Sequence, residues 1–392
     1  AILRVVFTVS LLTGVFSPLL PAIQDDFQLT ATMVSLLLTV FGVTRLVIDV
    51  PAGRLVRSCR PELLLTMATV AALLGGLGAV FAPSYSVLLL TRVLIGVASA
   101  TAVVVGLSTL VHVSSSPDAA MSHFYIAMFS AMIISPTIGG LLEGLWGWRA
   151  ALAVISVIVA LTVIDSARPL RRNHFARIHS PATEAANITQ LVRTRPILMI
   201  YALSFVALAL YTGGKLTLLP LYGANHLGLN VTQLGFIFTA TAILTPLAML
   251  ATARISAAQQ KVLCISAGLV LWAIGLAIIL IESVPVFIIA SACIDLAGGL
   301  MYATPYALLT DCIPRSAAGQ AMGEVRLPAD IAWLVTPPII GFGLDAGGTV
   351  APVLMLLAVT ALALFGVRVF LSRHALVLDV SPGAQGRLTS SQ

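Results

Sequence analysis

Long, uninterrupted apolar runs are the feature that most restricts what this chain of 392 residues can fold into. A helix needs about 20 apolar residues to cross the hydrocarbon core of a bilayer, which is roughly 30 Å thick. Twelve such runs can be placed, near residues 4–22, 32–52, 62–82, 86–110, 121–144, 149–165, 196–222, 232–252, 262–281, 285–310, 322–344 and 350–371. A transmembrane β-barrel would show short segments of alternating hydrophobicity instead. The sequence therefore predicts an all-α membrane protein with twelve transmembrane helices.

The few charged residues, 9% of the chain against roughly 25% in soluble proteins, are divided unevenly between the loops. If the first residues lie inside, nearly all loop arginines and lysines fall on the cytoplasmic side. The opposite loops carry Asp25, Asp26, Glu282 and Asp345, with Arg149 as their clear basic residue. This predicts a multi-pass protein of the bacterial cytoplasmic membrane with both termini in the cytoplasm. The same bias, together with anionic lipid, accounts for the formal charge of +6, so we expect no nucleic-acid partner.

The two halves of the chain resemble each other. A polar, basic segment at 167–195 separates residues 1–166 from residues 196–371, with six apolar runs in each half, and a tail follows at 372–392. We expect the segment to be a cytoplasmic linker and the tail to be cytoplasmic. Two patterns recur: Arg92-x-x-x-Gly96-x-x-x-Ala100 matches Asp295-x-x-x-Gly299-x-x-x-Ala303, and Pro136-x-x-x-Gly140 matches Pro337-x-x-x-Gly341. Small residues four apart let helices pack closely. The repeats predict a transporter architecture of two pseudo-symmetric six-helix bundles.

Four local motifs resemble those of the major facilitator superfamily, and in particular its twelve-span drug:proton antiporter branch. They are FSPLLPAIQDDFQLT in the first span, DVPAGRLVRSCRPELLL after the second, RVLIGVASA in the fourth and SPTIGGLLEGLWGWRAAL in the fifth. The resemblance implies a transporter in which spans one, four, seven and ten line a central cavity. Two positions depart from the family pattern. Arg57 stands where the family carries an aspartate that caps the eleventh helix, and Ser135 replaces the first glycine of the antiporter motif.

The departure at Arg57 suggests a different lock between the halves. An arginine is repelled by the positive N-terminal end of a helix, but Glu324 in the first turn of the eleventh helix could pair in an outward-open state with Arg57, or with Arg60, which stands where the family carries a glycine. The alternative is that both charges are solvated and unrelated. Arg45 and Asp49 lie i, i+4 on the second span and are expected to form a structural pair. The predicted gating residues are Arg45, Asp49, Gly53, Arg57, Pro136, Gly140 and Glu324.

Three charges lie deep within the cavity-lining spans: Arg92, Lys215 and Asp295. A lone carboxylate at mid-bilayer costs at least about 2.5 kcal/mol, so we expect both cations to meet Asp295, which would carry the coupled proton together with Arg92. Two alternatives stay open at this stage. Lys215 could snorkel to the outer headgroups, and Arg92 could bond backbone carbonyls to hold the fourth span. Asp330 in the eleventh span is either a second proton site or a partner for Arg326.

The remaining predicted lining is apolar, with aromatic faces and a few hydroxyls, which suits an amphiphile better than a free sugar. The predicted substrate-binding residues are Thr13, Phe16, Ser17, Tyr211, Lys215, Tyr302 and Tyr306. We therefore predict proton-coupled export of a lipophilic or amphiphilic small molecule by a monomer. With Asp295 ionised, the trio of Arg92, Lys215 and Asp295 keeps one net positive charge, which would suit a substrate with an anionic head. Import of a polar metabolite and lipid flipping are the alternatives. The cysteines have no paired spacing and no hydrolase or phosphate-binding motif is present, so we expect no metal, no cofactor and no enzymatic activity.

Overall fold

A computed structural model describes residues 1–114, 117–172, 195–252, 255, 258–302, 304–312 and 318–374. Every described element is a helix. Within this part of the chain, twelve helical stretches, several of them made of more than one helix, are long and apolar enough to cross a membrane, which confirms the predicted number of spans and the all-α class. The boundaries assigned to the linker and the tail remain predictions, because residues 173–194 and 375–392 lie outside the described part of the chain.

The spans are numbered here in chain order, and several consist of more than one helix. Spans 1 to 6 are formed by Ile2–Gly14 with Phe16–Asp26, Ala31–Ser58, Pro61–Val80, Tyr85–Val113, Pro117–Trp146 and Trp148–Arg172. Spans 7 to 9 are formed by Arg195–Ala209 with Leu210–Leu218 and Leu219–Asn225, Val231–Ala242 with Leu244–Thr252, and Ala258–Ile278. Spans 10 to 12 are formed by Val284–Met301 with Thr304–Cys312, Ala318–Gly347 and Val350–His374.

Proline explains where spans 1, 8 and 10 are interrupted. A proline removes one helical hydrogen bond, and its ring clashes with the carbonyl of the residue four positions earlier. The helices that end at Gly14, Ala242 and Met301 each end four residues before a proline, at positions 18, 246 and 305. Other prolines, such as Pro136, lie inside continuous helices. Proline therefore marks these breaks but is not sufficient to cause one.

The buried apolar side chains form two clusters. Spans 1 to 6 supply the first, joined by Leu221, Val231 and Trp333 from the second half. Spans 7 to 12 supply the second. The fold is therefore the predicted pair of six-helix bundles, with a few side chains of one bundle packed into the core of the other.

The bundles meet at one end of the molecule, called the closed end here, which carries the loops at 27–30, 147, 226–230 and 348–349. Span 2 packs against span 11, and span 5 packs against span 8. A methyl group added to Gly341 would lie 2.6 Å from the backbone oxygen of Ala31, and one added to Gly140 would lie 2.6 Å from that of Val231. The repeated glycines thus allow backbone-to-backbone contact between the bundles, as expected for small residues between membrane helices.

Candidate functional site

A buried ion pair lies at the centre of the second bundle. The Nζ atom of Lys215 on span 7 lies 2.6 Å from Oδ2 of Asp295 on span 10. Lys215 is 7% exposed and Asp295 is 6% exposed. The alternative that Lys215 snorkels to the headgroups is therefore wrong for this conformation. The carboxylate is tolerated inside an apolar span because a cation from another span neutralises it.

Span 8 completes the surroundings of the lysine. Lys215 Nζ donates to Thr241 Oγ1 at 3.4 Å and lies 4.6 Å from the centre of the Phe238 ring. Thr245, one turn further along span 8, donates its hydroxyl to the backbone oxygen of Asp295 at 2.9 Å. The ammonium group is thus held by a carboxylate, a hydroxyl and an aromatic face, which is a favourable position for a desolvated cation.

The local backbone of span 7 is wider than an α-helix where it presents Lys215. Leu210–Leu218 is a π-helical segment, and the N–H of Leu219 bonds to the carbonyl of Gly214, five residues earlier. Gly214 lies directly against the ring of Trp272, where an added methyl group would come within 2.7 Å. Short π-helical insertions occur frequently at functional sites because they redirect side chains. The adjacent glycines Gly213 and Gly214 are the signal that the sequence carries at this point, although they do not specify this geometry.

Arg92 does not join the pair, contrary to the prediction. It is fully buried within the first bundle, where Nε donates to the backbone oxygen of Leu37 on span 2 at 2.9 Å. Its guanidinium carbon lies 4.1 Å from the Phe16 ring centre and 4.8 Å from that of Phe41. Among the residues that the structure describes, no ion pair connects Arg92 with Asp295 and its Nη atoms have no hydrogen-bond partner. Two aromatic rings and a carbonyl hold the side chain away from the other bundle.

An aromatic group lies beside the ion pair and crosses the bundle interface. The Tyr211 ring is 5.3 Å from that of Tyr302 and 6.2 Å from that of Trp333, and Trp333 is 5.4 Å from Phe41 of the first bundle. Tyr211 precedes Lys215 by one helical turn and Tyr302 follows Asp295 by two. Because spans 7 and 10 run in opposite directions, both tyrosines lie on the side of the pair that faces away from the closed end. Trp333 was not predicted as a site residue. The sign available in the sequence was its position as a tryptophan in the middle of span 11.

Other predicted substrate-binding residues are placed differently. Phe16 is fully buried beneath Arg92, so it cannot contact a substrate in this conformation. Thr13 donates its hydroxyl to the carbonyl of Val9 in its own helix at 2.9 Å. Ser17 crosses between the bundles, and its hydroxyl donates to the backbone oxygen of Leu216, next to Lys215, at 3.1 Å. The side chain of Tyr306 lies outside the described part of the structure.

The predicted gating residues lie at different places in the structure, and not all of their side chains are described. Pro136 and Gly140 lie at the contact of span 5 with span 8, where Thr232 Oγ1 donates to the Gly140 carbonyl at 2.6 Å. At Gly53 an added methyl group would meet only ordinary van der Waals contact, so no close approach requires glycine there. The proposed pair of Arg57 with Glu324 is not described, because both side chains lie outside the described residues.

The structure gives the positions of the charged residues Arg45, Asp49 and Asp330 on spans 2 and 11, but these positions do not assign a function to them. The Arg45 guanidinium lies 5.7 Å from the Phe41 ring centre, Asp49 is half-buried one turn further along span 2, and Asp330 is buried at 4% exposure. Arg45, Asp49 and Asp330 each have an interaction partner. Their predicted functions, as a structural pair and as a second proton site, remain predictions.

Comparison with known proteins gives a consistent family. The model of the Major Facilitator Superfamily matches residues 2–263 and 224–389. The Quinolone resistance protein NorA of Staphylococcus aureus is 24% identical over 229 residues, which are 55% of this chain and 58% of that protein. The chain therefore matches less than two thirds of the length of this curated relative.

Solved structures share the fold at low sequence identity. A bacterial homologue of the human lysosomal transporter Spinster, in an inward-facing and occupied conformation, has a TM-score of 0.78 at 15% identity over 97% of both chains. A POT family transporter in complex with 5-aminolevulinic acid has a TM-score of 0.76 at 13% identity, over 94% of this chain and 95% of that one. The human organic anion transporter MFSD10 has a TM-score of 0.67 at 13% identity, over 93% of this chain and 97% of that one.

Proposed function

The chain belongs to the Major Facilitator Superfamily, and from this premise we propose that it is a proton-coupled transporter that exports a lipophilic or amphiphilic small molecule by alternating access. Membership makes it a multi-pass transporter of a small molecule. The proposal adds the direction, the coupling ion and the substrate class. The single observation that carries it is the buried pair of Lys215 with Asp295 at 2.6 Å.

The pair supports proton coupling because its charge balance depends on one proton. With Asp295 ionised, the pair is neutral and is stabilised by attraction in a site that excludes most water. Protonation of Asp295 leaves the ammonium of Lys215 without a counter-charge, so the pair loosens and Lys215 must find other partners. Spans 7 and 10 both belong to the second bundle. A change in how they pack against each other can therefore alter the contact of that bundle with the first.

The side of the pair that faces away from the closed end supports an amphiphilic substrate. Tyr211, Tyr302 and Trp333 offer aromatic surface beside a charged pair, which suits a molecule with a planar apolar part and a polar group. The name of the relative NorA, a quinolone resistance protein, agrees with export of such a molecule. Transporters of peptides, nucleosides and organic anions share the fold, so the fold alone does not select the substrate.

The geometry removes the basis for an anionic preference. The prediction rested on three charges that leave one net positive charge in the cavity. The structure separates Arg92 from the pair, and the pair by itself is neutral. We therefore retain the amphiphilic class and leave the sign of the polar group open to either charge.

We further propose that the closed end faces the outside and that both termini are cytoplasmic. The support is the distribution of arginine and lysine in the loops. In this orientation the aromatic group lies on the cytoplasmic side of the ion pair, where a substrate for export would enter first.

The test uses purified protein in liposomes with an imposed proton gradient. A fluorescent quinolone and ethidium serve as probes, and their movement is followed with Asp295→Asn and with Asp26→Asn as the control, because Asp26 is an exposed carboxylate in a different ion pair. We expect Asp295→Asn to abolish gradient-driven movement while it still binds the probe in a thermal-shift assay. We expect Asp26→Asn to transport normally.

Three outcomes would contradict parts of the proposal. Wild-type transport by Asp295→Asn under the proton gradient would remove Asp295 from coupling. Uptake of a polar metabolite into cells, in place of efflux of the probes, would indicate an importer. Translocation of a fluorescent lipid without any gradient would indicate a flippase.

A further inference from the structure

We propose that Asp345 is a latch that holds the closed end shut by capping span 2 from the opposite bundle. The inference rests on alternating access, which is part of the proposed function, because a latch is meaningful only if this end also opens. It concerns neither the substrate nor the coupling ion.

The contacts of Asp345 connect the two bundles directly. Asp345 lies near the end of span 11, in the second bundle. Its Oδ1 accepts the backbone N–H of Ala31 at 2.8 Å, and its Oδ2 accepts the backbone N–H of Thr32 at 2.8 Å and the Thr32 hydroxyl at 2.5 Å. Ala31 and Thr32 form the first turn of span 2, in the first bundle. One carboxylate therefore closes three hydrogen bonds across the interface.

Helix chemistry explains why these bonds stabilise the contact. The first four N–H groups of a helix have no partner within the helix. Thr30, the residue before span 2, accepts the N–H of Met33 at 3.2 Å, which leaves the amides of Ala31 and Thr32 to other acceptors. Asp345 supplies them, and its negative charge lies at the positive end of the span 2 dipole.

The contact of span 5 with span 8 provides an internal comparison. Gly140 approaches the first turn of span 8 as Gly341 approaches the first turn of span 2, each at a backbone oxygen. At span 8, however, Asn230 and Gln233 form a capping box within the span's own bundle. The glycine at position 144 faces Thr232, as Asp345 faces Thr32. The two contacts thus share a backbone arrangement. They differ in how the first turn is capped: by the capping box of its own bundle at span 8, and by Asp345 of the opposite bundle at span 2.

The latch predicts that the closed end opens more readily without the carboxylate. When span 2 separates from span 11, all three bonds to Asp345 break at once. Bonds to a charged group contribute more than neutral ones, although Asp345 is exposed and water compensates part of the loss. We expect Asp345→Ala to raise the ratio of open to closed molecules by about tenfold.

The experiment is hydrogen–deuterium exchange of the full chain in lipid nanodiscs, read by mass spectrometry without substrate or proton gradient. In Asp345→Ala, amides at the start of span 2 should exchange about tenfold faster than in the wild type, as should those at the start of span 8. Peptides from the opposite end, such as the loop between spans 2 and 3, should exchange more slowly. Asp25→Ala is the matched control, because Asp25 is an exposed acid at the closed end.

The outcomes separate a latch from a simple helix cap. Faster exchange at the start of span 2 alone, with span 8 and the opposite end unchanged, would show that Asp345 only caps a helix, and it would overturn the inference. Unchanged exchange at both ends would overturn it as well. If Asp345→Ala fails to fold, Thr32→Val removes one of the three bonds and must give the same pattern at smaller amplitude. Failure of gradient-driven transport in liposomes would count against the proposed function and would leave these exchange patterns unaffected.

Discussion

Replacing Lys215 by methionine tests whether the ion pair holds spans 7 and 10 together. Lys215 and Asp295 are each less than a tenth exposed, so solvent cannot compensate a charge that loses its partner. Removing one member of a buried pair costs about 3–5 kcal/mol, whereas replacing both by apolar residues of similar size is often neutral or stabilising. We therefore expect Lys215→Met and Asp295→Leu each to lower the free energy of unfolding by about 3–5 kcal/mol, and the double variant to be close to wild type.

The assay is a double-mutant cycle with unfolding free energies from SDS titration in mixed micelles. If each single change costs about 3–5 kcal/mol and the double variant is close to wild type, the coupling energy between the two positions is about 6–10 kcal/mol in magnitude. Asp26→Asn is the control, because Asp26 pairs with Arg149 at 2.6 Å with about two fifths of each side chain exposed. A surface pair of this kind contributes roughly 0.2–1 kcal/mol. If the single changes cost no more than the control, or if the double variant costs the sum of the singles, the pair does not stabilise the bundle as argued here.

Two further predictions concern packing around the site. Gly214→Ala should lower the free energy of unfolding by about 1–3 kcal/mol, because the new methyl group would come within 2.7 Å of Trp272. Gly366→Ala on span 12 meets nothing within 4 Å and should be neutral or slightly stabilising in the same SDS titration. Arg92→Lys should also destabilise the first bundle, by about 1–2 kcal/mol, because lysine lacks the planar guanidinium group that favours aromatic faces, and that group lies over the Phe16 and Phe41 rings. Equal stability of Arg92→Lys and wild type would show that this contact with the rings is unimportant.

Sequence reasoning succeeded for properties that depend only on the order and length of segments along the chain. Crossing a bilayer as helix requires a run of a certain length, so the number of spans could be counted. The paired glycines at Gly140 and Gly341 were visible as a repeat, and both lie at contacts between the bundles. The broken spans were less visible, because proline interrupts the helix before position 18 but leaves the helix around Pro136 continuous.

The residues that surround the site were harder to predict because they depend on the rotation of each span. The sequence placed Arg92 and Lys215 deep within two cavity-lining spans and could not tell which of them faces Asp295. Phe16 was assigned to the cavity by its span, yet its ring lies beneath a buried guanidinium. Trp333 and Thr241 were not identified, because their importance comes from neighbours on other spans.

The sequence alone determined that this protein is a bundle of twelve membrane helices and that the acid in span 10 must meet a cation, since hydrocarbon stabilises neither an open backbone nor a lone charge. Only the tertiary structure decided that the cation is Lys215. The π-helical segment of span 7 directs its ammonium group to Asp295, while two aromatic rings hold Arg92 in the other bundle. Depth in the membrane follows from position in the chain, but the direction in which a side chain points follows from how whole helices pack.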